Sequence, residues 1–382
     1  MQLQEKKLTT VRNIPLFEDV LVNDKLYFIF ARLKLYLQRM KPVKTSLKKN
    51  WNRFKIIILI LLSLGLLILN NCNILSGSKT KDRVIIYFSD ENLMFLVPVT
   101  YETKEKTSTP EMAIELLISM EPPDKSLYNL FPKETDLLNF EIKDGIACLN
   151  FSKHFRKAFE SGGTEGNLLI SSVNYTLSHF KDIKGIKFFI EGKEIETLGE
   201  LDLKEPVAIE KWKNLFLTGK ESRIPGEENR ATIYFLEQKS LFILPVTCVF
   251  QDSKTLPQNV IQRLVKGLDE EWAKPTLPAG TEVLSFSVED SVAYIDFNSA
   301  FVNVKNNIPP EIVINSLAFS LTEFNYIKKL HITIEGKDLK KYGSVNLPST
   351  ISRPEAINMI KLNDTRETGV NFRFSHRPVI CL

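Results

Sequence analysis

The stretch Phe95–Thr100, "FLVPVT", returns as Phe242–Thr247, "FILPVT", 147 positions later. Proline inside an apolar, β-rich run cannot donate to a sheet ladder. Two such prolines in one setting point to an internal duplication. Working outward, Val84–Thr100 and Ala231–Thr247 align without a gap, with seven of seventeen residues identical. The same offset carries Pro110 onto Pro257, Ile114 onto Ile261 and Leu117 onto Leu264. Both of those runs read as short amphipathic helices with proline in the first turn, where its missing N–H is harmless.

After one deletion, Phe131–Ser152 meets Leu277–Asn298, each with two apolar-alternating runs around an acidic turn, "KDG" or "EDS". That is a hairpin signature. Two further deletions bring Phe180–Ile195 onto Phe324–Leu339, where a strand closes on a shared Glu-Gly-Lys turn. Each copy therefore reads ββαββαβ. Because the order is not strictly βαβα, we expect an α+β fold, a mixed or antiparallel sheet with helices on one face. Pro98 and Pro245 are expected at the end or edge of a strand. The expected boundaries are repeat one at 79–206, a polar linker at 207–228, repeat two at 229–350 and a tail at 351–382.

The charge is unevenly spread. Residues 1–55 carry 13 Lys/Arg against 4 Asp/Glu, whereas residues 79–382 carry 37 against 42. The basic excess belongs to the N-terminal segment, which removes the case for nucleic acid. Ile56–Ser78 is a run of 23 residues without a charge, beginning "IIILILLSLGLLIL". That length can cross a bilayer core of about 30 Å. Arg32–Lys55 supplies nine basic residues and no acid, so that flank should stay cytoplasmic. We expect a single-pass anchor at 56–78, contacting the membrane through the Ile56–Leu69 region, with both repeats outside the cytoplasm. Lipidation at Cys72 is the weaker reading, because Asn71 is not the small residue that lipoprotein cleavage favours. Met40 is an alternative start, so residues 1–39 are either a cytoplasmic tail or an over-extended beginning.

The four cysteines, Cys72, Cys148, Cys248 and Cys381, form no repeated pattern. Cys148 aligns with Tyr294 and Cys248 with Tyr101, so both read as small buried hydrophobes rather than disulfide halves. No metal-ligand spacing, glycine-rich phosphate loop or nucleophile elbow is present. None of His154, His179, His331 and His376 has a histidine counterpart in the other copy. The matched acids Asp144/Asp290 and Glu191/Glu335 fall at turns, where backbone bonding explains them. Asn150 and Asp296 likewise sit at strand ends. The matched aromatics, Tyr87/Tyr234, Phe88/Phe235, Phe151/Phe297, Phe155/Phe301 and Phe180/Phe324, read as core. We therefore assign no catalytic, cofactor-binding or metal-binding residue and expect no cofactor and no enzymatic activity.

The "IYF…LxxPVT" opening, the Leu277–Leu284 run "LPAGTEVL", the strand ends "LNF" and "IDF", and the closing "FxxIK…EGK" resemble the GerM family of sporulation and spore-germination proteins, with their tandem GerMN domains. The likeness spans roughly residues 82–350. In copy one the second motif is degraded to "FPKETDLL". The resemblance implies a membrane-anchored, extracytoplasmic protein whose domains are similar to the ring-building modules of secretion-type assemblies. It places the protein at the double membrane between mother cell and forespore, and it brings no catalytic residue with it. The poor match around Cys72 departs from the lipoprotein-like members.

Two functions follow from these readings. The first is a non-enzymatic assembly module in a septal complex, with protein partners and self-association into a ring. The alternative is a cell-wall enzyme or glycan-binding protein acting on spore peptidoglycan, which would need a cleft with convergent polar groups, expected between the repeats.

Overall fold

The computed structural model describes residues 82–103, 108–160, 163–217, 226–237, 239–268, 275–304 and 308–360. The chain divides into two compact units, Met1–Thr80 and Lys81–Leu382, and all described residues belong to the second. The basic segment, the run Ile56–Ser78, Cys72 and the tail beyond Ile360 lie outside them. Among the described residues, no helix is long and apolar enough to cross a membrane.

Repeat one opens with an antiparallel hairpin, β1 (Arg83–Asp90) and β2 (Leu96–Glu102), followed by helix α1 (Pro110–Ser119). Pro110 stands in the first turn of α1, and the Thr109 hydroxyl caps it by accepting from Met112 N at 3.1 Å. The two-residue strand β3 (Leu127–Tyr128) returns to β1. A mixed sheet follows: β4 (Leu137–Lys143) antiparallel to β5 (Ile146–Phe151), then helix α2 (Gly163–Leu177), then β6 (Gly185–Ile190) parallel to β5. Strand β7 (Val207–Ala208) closes it, antiparallel to β6.

After β8 (Leu215–Phe216), repeat two runs through the same course. Its hairpin is β9 (Arg230–Leu236) and β10 (Ile243–Val249), followed by helix α3 (Leu256–Lys266). Its mixed sheet contains β11 (Val283–Glu289), β12 (Val292–Phe297), β13 (Lys329–Ile334) after helix α4 (Pro310–Thr322), and β14 (Ile351–Ser352). The match extends to detail. A β-bulge interrupts the first strand pair at Leu137/Asn139 and again at Val283/Ser285.

The amphipathic phase of the first helices is as read: Ile114, Leu117, Ile261 and Leu264 are all buried. The matched aromatics Phe151 and Phe155 stack at 4.4 Å, and Phe297 and Phe301 stack at the same distance, all four buried. Each hairpin buries both faces. In β1, Val84, Ile86 and Phe88 enter the main core, while Ile85 and Tyr87 face a second apolar cluster against α2.

Three features differ from expectation. Each repeat divides its strands between a hairpin sheet and a mixed sheet instead of one sheet, because the outer edge of each hairpin is occupied by the other repeat. Strand β8, within the segment read as a linker, pairs parallel with β10 of repeat two, Leu215 opposite Thr247 and Phe216 opposite Cys248. Strand β15 (Met359–Ile360), beyond the second repeat, pairs parallel with β2 of repeat one, Met359 opposite Thr100 and Ile360 opposite Tyr101. The repeats thus exchange strands reciprocally, about a pseudo-two-fold axis. Of the two places expected for Pro98 and Pro245, the end or the edge of a strand, the structure takes the edge. They stand third in β2 and β10, opposite Tyr87 and Tyr234, at the edge that faces the other repeat.

Candidate functional site

The exchange brings two asparagines to equivalent places. Asn214 precedes β8 and Asn358 precedes β15, each at φ 48°, a left-handed backbone that asparagine tolerates better than most residues. Asn214 Oδ1 accepts from Leu96 N at 2.9 Å, while Nδ2 donates to Leu96 O at 2.9 Å and Pro245 O at 2.7 Å. Asn358 repeats this in mirror order: Oδ1 accepts from Ile243 N at 2.7 Å, and Nδ2 donates to Ile243 O at 2.7 Å and Pro98 O at 2.8 Å. Each carboxamide therefore bridges the two hairpin edges. The prolines fit because their carbonyls point outward and receive the clasp, while the N–H they lack is on the side away from their own hairpin partner.

Around this axis lies a polar cluster. Tyr87 and Tyr234, equivalent and both buried, send their hydroxyls to different partners. Tyr87 reaches His179 Nε2 at 3.2 Å, with the rings stacked at 5.9 Å. Tyr234 donates to Glu323 Oε1 at 2.6 Å, and Arg353 joins both, at 2.6 Å from Glu323 and 3.0 Å from the Tyr234 oxygen. Arg353 also covers the Phe319 ring. On the repeat-one side, Lys213 lies over the Tyr175 ring at 4.6 Å, and Tyr175 Oη accepts from Asn214 N at 2.9 Å. Burial raises the Tyr87 and Tyr234 hydroxyls well above the ordinary tyrosine range and pushes Tyr175 up to about 12. Burial likewise brings the Lys213 ammonium down to about 8, against the pull of Glu210 and Glu323. His179 keeps a solvent-facing edge, and crowding followed by the charges of Lys213 and Arg353 holds its pKa below the usual histidine value.

The residues weighed as acids and bases are placed as turn and cap residues. Asp144 and Asp290 occupy the left-handed positions of the two hairpin turns, at φ 53° and 47°. Glu191 Oε1 accepts from Lys153 N at 3.0 Å and Glu335 Oε1 from Ser299 N at 3.2 Å, each at the start of a short 3-10 helix. Asn150 and Asp296 accept from Gly192 N and Gly336 N at 2.9 and 3.0 Å. His154 and His331 bond the backbone carbonyls of Glu134 and Ser349, and His376 lies outside the described residues. Among the described residues no group of three or more His, Cys, Asp or Glu gathers as a metal would require. Cys248 is free and buried. Cys148, read from sequence as a plain buried hydrophobe, is disulfide-bonded.

Of two open grooves, one adjoins the Asn358 clasp and the other stands apart from it. One of about 560 Å³ lies beside the exchanged strand β15, walled by Phe242, Ile312 and Ile360 and rimmed by the Arg83–Glu355 pair at 2.8 Å. Its only described carboxylate is Glu355, so it offers no carboxylate pair for glycoside hydrolysis. The larger, about 890 Å³, lies within repeat one between the end of α1 and Leu127–Leu138.

Sequence reasoning missed the junction. Asn214 and Asn358 align at the offset of the second half of the repeat, and that match could have exposed them. Arg353, Lys213 and His179 have no like counterparts, being opposite Ile209, Ile357 and Glu323, so no repeat signal marked them.

Residues 85–196 and 232–340 match the family model described as "Germane: Sporulation and spore germination". A curated relative, spore germination protein GerM of Bacillus subtilis (strain 168), is 26% identical over 289 residues, covering 72% of this chain and 77% of the relative. The solved tandem GerMN domains of the sporulation protein GerM from Bacillus subtilis are similar in fold, with a TM-score of 0.55 at 22% identity, covering 73% of this chain and 99% of that one.

Proposed function

Since the chain belongs to the Germane family of sporulation and spore germination, we propose that it is a membrane-anchored, extracytoplasmic assembly module of a septal complex between mother cell and forespore. It acts there without catalysis. The observation that carries the reading is the reciprocal exchange of β8 and β15. It joins two copies of one fold into a single unit, and the residues the copies share are spent on core, turns and clasps. Such a unit offers outward strand edges and helix faces to neighbours, and tethering on one membrane raises the local concentration of those surfaces. The charge-free run Ile56–Ser78 behind nine basic residues supports the anchor and its orientation. The bonded state of Cys148 supports a location outside the reducing cytosol.

A cell-wall enzyme or glycan-binding protein acting on spore peptidoglycan is the second reading, favoured by the solvent-reached cluster of His179, Glu323 and Arg353 at the junction. The two are separated by isolating the full chain with its partners from sporulating cells, beside a muropeptide release assay. Co-purifying septal membrane proteins with no released fragments are the expected result. Release of muropeptides that disappears with one carboxylate substitution, in a protein still folded, would overturn the assembly reading.

A further inference from the structure

After its last long strand each copy makes a short hairpin, and the two hairpins have one shape. In repeat one Thr197 lies opposite Asp202 and Leu198 opposite Leu201. In repeat two Lys341 lies opposite Asn346 and Tyr342 opposite Val345. Each turns on a left-handed glycine, Gly199 at φ 59° and Gly343 at φ 56°. Each is also fixed from beneath. Ile195, Leu198 and Leu203 are buried in one copy, and in the other Tyr342 is buried with Leu339 and Leu347 packed against the core. The backbone therefore presents its side chains at equivalent places about the pseudo-two-fold axis.

Those side chains differ in sign. At the base the copies agree, since Glu191, Lys193 and Glu194 correspond to Glu335, Lys337 and Asp338. The contact there is also kept in kind, Lys187 to Glu194 at 2.6 Å and His331 to Asp338 at 3.2 Å. Beyond the base they part. Glu196, Thr197, Glu200, Asp202 and Glu205 stand where repeat two has Lys340, Lys341, Ser344, Asn346 and Ser349. Residues 191–205 thus hold six acidic residues against two lysines, whereas 335–349 hold three lysines against two acidic residues. The six charged side chains among the positions that change are all exposed. Among the described residues none of the six stands in an ion pair. One backbone shape carries either set, so the difference in sign serves something outside the fold.

We propose that the acidic hairpin of repeat one docks against the basic hairpin of repeat two in a second copy of this chain. The proposal rests on the assembly reading above and names its contact. Acidic hairpins repel one another, so the contact of like with like is disfavoured and the head-to-tail contact is selected. A head-to-tail contact is heterologous and passes from copy to copy. One exposed charge pair contributes little. The contact therefore draws on several pairs together and on the local concentration that a shared membrane gives. Both hairpins spring from the side of the mixed sheet opposite β4 and β11, so docking leaves those edges free.

The test uses the full chain in phosphatidylcholine vesicles, tagged at the N-terminus with donor or acceptor fluorophores, and reads self-association by energy transfer. Glu196→Lys with Glu200→Lys makes both hairpins basic, and Lys340→Glu with Lys341→Glu makes both acidic. Each variant alone should associate at least about tenfold more weakly than the parent, through like-charge repulsion. An equimolar mixture of the two should associate as the parent does, because basic again meets acidic. Raising the salt to about 0.5 M should weaken parent and mixture alike. Rescue in the mixture also rules out misfolding as the cause of the loss. Variants that associate as the parent does would sink the hairpin contact and leave the assembly reading standing, and so would a mixture as weak as its components. A parent that does not self-associate on the vesicle, yet co-purifies with septal membrane proteins, would exclude a second copy as the partner. A parent that does neither would overturn the assembly reading as well.

Discussion

Replacing Asn214 with Ala tests whether the clasp, and not the two-residue strand beside it, holds the repeats together. Asn214 is 8% exposed, and its side chain serves Leu96 N, Leu96 O and Pro245 O. Truncation leaves an N–H and two carbonyls without these partners in a place with little access to water, and each such group costs about 1–3 kcal/mol if it finds no substitute. The carbonyls have second lone pairs and relax more easily than the donor, so the sum is not three full penalties. Alanine at φ 48° adds about 1 kcal/mol, which Asn214→Gly removes. We expect a loss of about 3–5 kcal/mol for Asn214→Ala and about 1 less for Asn214→Gly. Asn358 makes the same three bonds but is half-buried, so water can replace part of its clasp and Asn358→Ala should cost less. Urea unfolding of residues 81–382 would measure this, with the m-value checking that the transition stays single. A loss below about 1 kcal/mol for Asn214→Ala would refute the clasp. So would equal losses at the two sites, since burial is what separates them.

Leu117→Ala and Leu264→Ala, each removing a fully buried side chain, should cost about 2–5 kcal/mol by the same measurement, and near-neutrality at both would overturn the helix phase. Ser291 stands at φ 63° where repeat one has Gly145, so Ser291→Gly should stabilise by roughly 0.5–1 kcal/mol; destabilisation would mean that the hydroxyl has a role beyond the turn. Lys213 has a pKa of about 8, below its ordinary 10.5, so stability should increase as pH rises from about 8 towards 10.5, and Lys213→Met should flatten that rise. An identical pH profile in parent and variant would show that the ammonium is not desolvated. Asp144→Asn, Asp290→Asn, Glu191→Gln and Glu335→Gln should affect stability alone; loss of sporulation function with unchanged unfolding at any one of them would mean it has a chemical task.

The elements of the fold were legible because periodicity and turns leave a signature at short range. The bulged strand pairs, the proline-opened helices and the Asp-centred hairpins all lie where "PEMAIELL", "KDG" and their partners place them. The exchanged strands were not legible. Leu215–Phe216 and Met359–Ile360 are two residues each, too short to show a period, and their pairing is set by the tertiary approach of the other repeat. The junction cluster was hidden for the opposite reason. A duplicated chain advertises what its copies share, and His179, Lys213 and Arg353 are where they differ. Cys148 belongs to the same class, since its unlike counterpart Tyr294 was the reason to read it as plain core.

The exchange also bears on where an assembly could grow. An unpaired strand edge is a template for another chain unless something covers it. In each hairpin sheet the edge towards the axis is taken by the other repeat, through β15 on β2 and β8 on β10. In each mixed sheet the last strand is β4 or β11, and among the described residues neither has a partner on its outer side. Both edges carry an exposed apolar side chain, Ile142 at 42% and Leu284 at 50%, set among polar neighbours such as Glu141, Lys143 and Ser285. Charges on an edge discourage indiscriminate pairing without preventing a partner of matching charge. Because the repeats are related by a pseudo-two-fold axis, these edges are equivalent ends of one unit. A contact between the β4 edge of one molecule and the β11 edge of the next would be heterologous, and such contacts propagate or close into rings. If the assembly proposed above is built from such contacts, Ile142→Lys and Leu284→Lys should each abolish self-association of the chain, and should do so alike, while leaving the clasped junction and its unfolding unchanged. If only one of the two edges proves sensitive, the contact joins this chain to a different protein, and the ring of identical copies is excluded.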